Sequence, residues 1–181
     1  DLRDDPGGIF REALAVSCLF ANTFADIIVT THANDNPWYH TVGGITGYAA
    51  TQGSECTAQY RTPLVVLVNE GSASASEVVS GALQSWERPV VGTRTYGKGT
   101  VQTIFPLTHN DAMRLTTAEY FVGDKETKIN DVGVIPNYIV EIPKPIDEDT
   151  AFEYSNAKGD PQLQKAIEIL SELINQNQKG R

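Results

Sequence analysis

The residues of this chain that could do chemistry lie in two short segments rich in small side chains. Residues 69–77, NEGSASASE, carry three alternate serines, and Gly97–Gln102, GKGTVQ, places a lysine between two glycines. A serine becomes a nucleophile for acyl transfer when a neighbouring base accepts its proton. A lysine that is neutral at the moment of attack can be that base. Together the two segments predict a hydrolase that uses a serine and a lysine.

The spacing around the serines predicts that Ser74 begins a helix. Ser74 and Glu77 match the S-x-x-E capping box, and apolar residues then recur at helical spacing as far as Trp86. The first turn of a helix has free N–H groups and the positive end of the helix dipole, and both stabilise an oxyanion. Ser74 alone would be interpreted as a structural cap, and Lys98 alone as a surface lysine. Their combination indicates catalysis.

The elements that must position these residues predict an α/β fold with a mainly parallel sheet. The apolar run over 62–68 is typical of a parallel strand covered on both faces, and strands alternate with helices along the chain. Residues 32–60 lack periodicity and are predicted to be an irregular loop, and 144–160 an acidic linker. Helices are predicted over residues 9–21, 74–86 and 161–175, and strands over 26–31, 62–68, 89–92, 101–106, 113–120 and, as an extended edge, 131–143.

Composition excludes several classes of protein. The 181 residues suit one domain, and a net charge of −9 argues against nucleic acid as the main partner. The sequence contains no apolar run long enough to span a bilayer and no signal-like segment. It begins at Asp1, without a methionine, so we expect a piece of a longer protein. Cys18 is predicted to be a buried thiol on a helix; it could pair with Cys56, but two cysteines do not fix the redox compartment.

Other chemistries fit the sequence less well. Gly92–Lys98 matches the start of a phosphate-binding loop, but Gly99 stands where Ser or Thr should follow, and a strand follows in place of the required helix. The side chains of His32, Asp35 and His40 meet no zinc-site spacing. A G-x-S-x-G elbow for a Ser-His-Asp triad is absent from the sequence. We therefore expect no metal and no cofactor.

Several segments, in order, resemble the carboxyl-terminal processing (tail-specific) peptidases of family S41. The resemblance runs from residue 1 to about 174, apart from 32–60, and it implies a ClpP/crotonase-like α/β core with a β-hairpin and a C-terminal helix. On this basis residues 1–143 are part of the catalytic core, and 144–181 are the acidic linker and closing amphipathic helix. The segments that carry the resemblance are DLRDDPGG (1–8), NEGSASASE (69–77), TYGKGTVQ (95–102), RLTTAEY (114–120), DVGVIPN (131–137) and DPQLQKA (160–166).

The resemblance also implies roles for individual residues. Ser74 would be the nucleophile, Lys98 the general base, and Gln102 the residue that orients the lysine. An extended backbone over this stretch would put both side chains on one face. The oxyanion hole would use the N–H of Ala75 and one N–H from the Gly7–Gly8 turn, where absent side chains allow close approach.

The function that the resemblance implies is a serine endopeptidase that cleaves proteins near their C-termini without a cofactor. Its partners would be the C-terminal tails of protein substrates. An oligomer, or the preceding part of the same protein with its PDZ domain, would complete the fold. The expected location is outside the cytoplasm, in the bacterial periplasm or cell envelope. A non-catalytic scaffold or peptide-binding module with the same fold is the alternative, followed by a crotonase-like acyl-CoA enzyme.

Overall fold

The computed structural model describes residues 1–20, 27–33, 36–42, 44–45, 60, 62–123, 127–143 and 157–179. The α/β prediction is confirmed, with a parallel sheet and a C-terminal helix, and an antiparallel sheet accompanies them. The helices of the described part are α1 (Phe10–Cys18), α2 (Ala75–Ser85) and α3 (Pro161–Lys179). Its strands are β1 (Ile27–Ala33), β2 (Asn36–Val42), β3 (Gly44–Ile45), β4 (Val66–Val68), β5 (Val90–Gly92), β6 (Thr100–Pro106), β7 (Ala112–Val122), β8 (Thr127–Lys128) and β9 (Tyr138–Ile139).

The parallel sheet has the strand order β4-β5-β9 and is covered on both faces. Val66 and Val68 of β4 point to the side of α2, whereas Leu67 between them packs on the side of α3. This alternation follows from the period of two in a strand. Burial on both faces is why the sequence of this strand is continuously apolar.

The antiparallel sheet has the strand order β3-β2-β1-β7-β6, with β8 paired to β7. Its β6–β7 hairpin was predicted; the two strands are joined through a short 3₁₀ turn at Thr108–Asn110. Helix α2 lies so close to β7 that a side-chain carbon added at Gly81 would be 2.7 Å from the Val122 side chain. The residue at 81 therefore sets how near α2 can approach this sheet.

The prediction of an irregular loop over 32–60 is wrong for those of its residues that the structure describes. Strand β1 continues to Ala33, and β2 and β3 pair beside it. The segment around Trp38–Val42 contains aromatic and β-branched residues, which suit a strand even when polar and apolar residues do not alternate. Residues 46–59, and residues 144–156 of the predicted acidic linker, lie outside the described part.

Helix α3 is joined to the start of the chain by a partly buried ion pair. Asp160 caps the helix by accepting hydrogen bonds from the backbone N–H groups of Gln162 and Leu163, both at 3.0 Å. Its other oxygen lies 2.6 Å from the guanidinium of Arg3. The charge-assisted contact fixes the segment that leads into Gly7 and Gly8 against the C-terminal helix.

Two further predictions concern covalent and membrane features. Cys18 is disulfide-bonded and is not a free thiol; Cys56, the other cysteine of the sequence, lies outside the described residues. Within the described ranges, no helix combines the length and apolar character needed to cross a bilayer.

Candidate active site

Ser74 occupies a sharp turn between strand β4 and helix α2. Its backbone has φ 57° and ψ −115°, a combination that a residue with a side chain rarely adopts. Such a conformation costs about 1 to 3 kcal/mol and persists where the surrounding structure imposes it, which is common at active sites. The turn places Ser74 as the N-cap of α2, at the positive end of the helix.

The Gly7–Gly8 turn packs directly against the start of α2. A side-chain carbon at Gly7 would lie 2.4 Å from the carbonyl oxygen of Ala73 and 2.6 Å from the amide nitrogen of Ala75, and the φ of Gly7 is +85°. Glycine is therefore required here both for space and for backbone conformation. The turn brings the predicted oxyanion residues together beside Ser74.

The hydrogen bonds of this turn distinguish its two glycines. The Gly7 N–H donates to Asp5 Oδ1 at 2.9 Å and is occupied. In the described part of the chain, the N–H groups of Gly8 and Ala75 have no acceptor. Two backbone donors that lie together without acceptors form a pocket suited to a negatively charged oxygen.

Glu77 connects the turn at Ser74 to the segment around Lys98. Its side chain is 0% exposed, and its two oxygens accept hydrogen bonds from the backbone N–H groups of Ser74 (2.8 Å), Gly97 (2.7 Å) and Lys98 (2.8 Å), and from the hydroxyl of Thr95 (2.5 Å). The predicted capping box is present, but capping is only part of what this carboxylate does. It fixes the backbone of Lys98 against the backbone of Ser74.

Tyr120 of β7 makes a second connection between the same two residues. Its hydroxyl donates to the carbonyl oxygens of Ser74, at 3.0 Å, and of Lys98. Burial, and next the charge of Glu77, raise the pKa of Tyr120 well above its ordinary value. The phenol is therefore a neutral donor.

Tyr120 closes the RLTTAEY segment, but nothing local to that segment indicates this role, because a buried tyrosine in a strand is usually a core residue. The sequence pattern predicts only a capping role for Glu77. The S-x-x-E spacing could have marked it as a polar residue on the buried side of α2, but its contacts to 95–98 depend on tertiary structure.

Lys98 and Gln102 lie at the beginning of the β6 hairpin. The side chain of Lys98 is exposed, and in the described residues its amine makes no hydrogen bond or ion pair. The Gln102 amide donates to Thr116 Oγ1 at 2.5 Å across the hairpin. Strand β6 begins only at Thr100, and its pairing is irregular between Val101 and Gln102. The placement of Lys98 and Gln102 on one face, expected for an extended backbone over 98–102, stays a prediction.

An apolar cleft of about 260 Å³ opens beside the Gly7–Gly8 turn. Ser76 contributes a hydroxyl that is buried and has no hydrogen-bond partner in the described part. The cleft has room for an aliphatic side chain next to the two free N–H groups. Its apolar lining comes from Leu2, Ile9, Ala13, Val16, Ala75 and Val79.

The remaining polar residues of the motifs hold the turns. Ser72 Oγ donates to the carbonyl of Leu2 at 2.7 Å and accepts from the N–H of Asn69 at 3.0 Å. Asn69 also accepts the N–H of Asp4 at 2.8 Å. These contacts join the first residues of the chain to the turn at Ser74, as expected for turn residues.

A strained serine at a helix N-terminus, an adjacent pocket of free N–H groups and a lysine segment fixed beside them form an arrangement of the kind that serine hydrolases use for acyl transfer. Residues 1–140 match the model of Peptidase family S41. The chain belongs to peptidase family S41, a family of serine peptidases.

Named relatives agree with this assignment. The chain is 40% identical over 146 residues to a carboxy-terminal-processing protease of Bartonella bacilliformis, covering 80% of this chain and 31% of that protein. It is 33% identical over 172 residues to a carboxyl-terminal-processing protease of a Synechocystis species, covering 94% of this chain and 36% of the relative. It thus spans about a third of the length of these relatives.

A solved structure shows the same fold. The photosystem II D1 C-terminal processing protease superposes with a TM-score of 0.64 at 30% identity, over 82% of this chain and 36% of that one. The resemblance to S41 peptidases proposed from the motifs is confirmed.

Proposed function

We propose that this chain forms the catalytic part of a serine endopeptidase that cleaves proteins near their C-termini, with Ser74 as nucleophile and Lys98 as general base. The observation that carries the proposal is the junction at Ser74. A strained serine lies beside two free N–H groups, and its backbone is hydrogen-bonded through Glu77 and Tyr120 to the backbone of Lys98.

The chemistry follows from these positions. Ser74 Oγ attacks the carbonyl carbon of the scissile peptide bond while the neutral amine of Lys98 takes the hydroxyl proton. The N–H groups of Ala75 and Gly8 receive the oxyanion, since the N–H of Gly7 is already bonded to Asp5. The lysine returns its proton to the leaving amine as the carbon–nitrogen bond breaks, which leaves an acyl group on Ser74. Water gives a proton to the same lysine and attacks the acyl carbon, and the lysine returns this proton to Ser74 Oγ as the bond from Oγ to the acyl carbon breaks.

Gln102 orients the lysine in this proposal. Its amide nitrogen is fixed by Thr116, so the amide plane is defined. Its amide oxygen is the acceptor that the amine of Lys98 needs. An amide orients the lysine without adding a negative charge, which would favour the protonated, inactive amine.

The apolar cleft next to the oxyanion pocket accepts a side chain adjoining the scissile bond. Aliphatic side chains fit its apolar lining and its volume of about 260 Å³. The named relatives process carboxyl termini, and we propose the same class of substrate here. The disulfide at Cys18 supports a location outside the cytoplasm, because disulfides persist mainly in oxidising compartments.

Hydrolysis of a peptide by purified variants of the protein that carries this sequence tests the catalytic pair. Ser74→Ala should remove hydrolysis while lowering the free energy of unfolding by only about 1 kcal/mol, the cost of losing a cap. Lys98→Arg should also be inactive, because a guanidinium does not lose its proton in proteins. The matched controls Ser171→Ala and Lys128→Arg change exposed residues of α3 and β8 and should keep full activity. Hydrolysis by Lys98→Arg at the rate of the unmodified protein would show that Lys98 is not the base.

A further inference from the structure

Tyr120 is buried below the active site and has its hydroxyl aimed at the catalytic backbone. The side chain is 2% exposed, and its ring packs against Phe10 of α1 with centroids 6.0 Å apart. The hydroxyl carries one proton and shares it between the carbonyl oxygens of Ser74 and Lys98. Elsewhere in the core, packing alone would account for a tyrosine. At position 120 the hydroxyl also has two defined hydrogen-bond acceptors.

The contacts of Tyr120 complement those of Glu77. One Glu77 oxygen accepts the N–H groups of Ser74 and Lys98, both at 2.8 Å, while the Tyr120 hydroxyl donates to the C=O groups of the same two residues. Both polar backbone groups of the nucleophile and of the base are thereby held by buried side chains. The two side chains come from different elements, α2 and β7.

This arrangement matters because both residues lie at the edges of regular elements: Ser74 caps α2, where its carbonyl oxygen also accepts the N–H groups of Glu77 and Val78, and Lys98 precedes β6. Ser74 has a strained φ of 57°, and Lys98 follows Gly97, whose φ is +91°, in a segment before β6 begins. The lysine side chain is exposed, and its amine makes no hydrogen bond or ion pair in the described part of the chain. The distance between nucleophile and base therefore depends on how firmly the two backbones are joined.

We propose that Tyr120 is a positioning residue for the Ser74–Lys98 pair: its hydroxyl sets the backbone separation at which the lysine amine reaches the serine hydroxyl. This rests on the proposed function above. Tyr120 touches no substrate atom in this account and acts through the two residues that it joins. The burial of the phenol keeps it protonated, so the restraint holds over the whole neutral pH range.

Tyr120→Phe tests this role, because it removes one oxygen atom and keeps the ring. The number of competent active sites is first counted by titration to completion with a fluorophosphonate, and kcat is then expressed per titrated site. We expect kcat per site to fall by about 10- to 100-fold with KM unchanged, as is typical of a small misplacement of reacting groups. A residue needed only for folding would lower the number of titrated sites and leave kcat per site unchanged.

Two control variants separate the hydroxyl from the ring. Tyr138→Phe removes a phenol oxygen from an exposed tyrosine of β9, and Phe10→Leu loosens the packing of the Tyr120 ring while keeping its hydroxyl. Both should keep kcat per site. An equal loss of kcat per site in Phe10→Leu would assign the effect to packing and overturn the proposal.

A second pair of substitutions serves if Tyr120→Phe does not fold. Tyr120→p-fluoro-Phe fills the space of the hydroxyl without a donor, and Tyr120→p-amino-Phe restores a donor. The proposal requires low kcat per site in the first and recovery in the second; equal values would overturn it. If the unmodified protein is not labelled at Ser74, the proposed function itself fails. If it is labelled and Tyr120→Phe keeps full kcat per site, only the role of Tyr120 fails.

Discussion

Replacing Glu77 by glutamine should destabilise the protein far more than an isosteric change usually does. The carboxylate is fully buried and accepts hydrogen bonds from three backbone N–H groups and from the Thr95 hydroxyl. A glutamine side chain keeps one acceptor oxygen and presents an NH₂ group to the donors on the other side. Thr95 can turn its hydroxyl to accept from that group, but the N–H of Gly97 would then have no acceptor.

The magnitude follows from this count. A buried N–H left without an acceptor costs about 1 to 3 kcal/mol, and each hydrogen bond to a charged group is stronger than a neutral one by about 1 kcal/mol. With two bonds kept to the amide oxygen but weakened, the free energy of unfolding should fall by about 3 to 5 kcal/mol. Lys98 would also be held less firmly, so hydrolysis should decrease.

Urea unfolding followed by circular dichroism measures the first effect. Glu141→Gln is the matched control, since Glu141 is exposed, and it should change the free energy of unfolding by less than about 0.5 kcal/mol. A loss of less than about 1 kcal/mol in Glu77→Gln would refute the reasoning, because the donors would then have found other acceptors.

Two other predictions concern the Gly7–Gly8 turn and Tyr120. Gly7→Ala should destabilise the fold, because its new carbon would lie 2.4 Å from the Ala73 carbonyl oxygen. A carbon at Gly8 meets no atom within 4 Å, so Gly8→Ala should unfold at the same urea concentration as the parent. Equal losses in the free energy of unfolding for the two variants would contradict the geometry. The pKa of Tyr120 lies above its ordinary 10.0, chiefly through burial. The unfolded chain therefore loses this proton first, and above pH 10 the free energy of unfolding should fall with pH by at most about 1.4 kcal/mol per pH unit. This slope should be absent in Tyr120→Phe, and an unchanged slope there would show that other groups cause it.

The parts of the site that local patterns encode could be predicted from the sequence. The S-x-x-E spacing located the start of α2 at Ser74, since a helix cap is a short-range signal. The apolar run before it indicated a parallel strand covered on both faces, and the structure has α2 and α3 on the two sides.

The parts that depend on contacts between distant segments could not be predicted. Glu77 reads as a cap in the sequence, and its bonds to 95–98 exist only because the β5–β6 connection folds over α2. The start of β6 at Thr100 and the extra residue of β7 in the pairing of these two strands likewise depend on contacts between strands. Strand β2 was missed because pairing with β1 stabilises a segment that has no periodicity of its own.

The rate at which a fluorophosphonate labels the protein, with the adduct located by mass spectrometry, tests the central claim most directly. The unmodified protein should carry the adduct on Ser74, since this serine alone combines a strained turn with adjacent free N–H groups in the described part of the chain. Lys98→Arg should be labelled at the same residue but far more slowly, because its base cannot accept the proton. An adduct on Ser72 or Ser76, or equal labelling rates for Lys98→Arg and the parent, would contradict the Ser74–Lys98 mechanism.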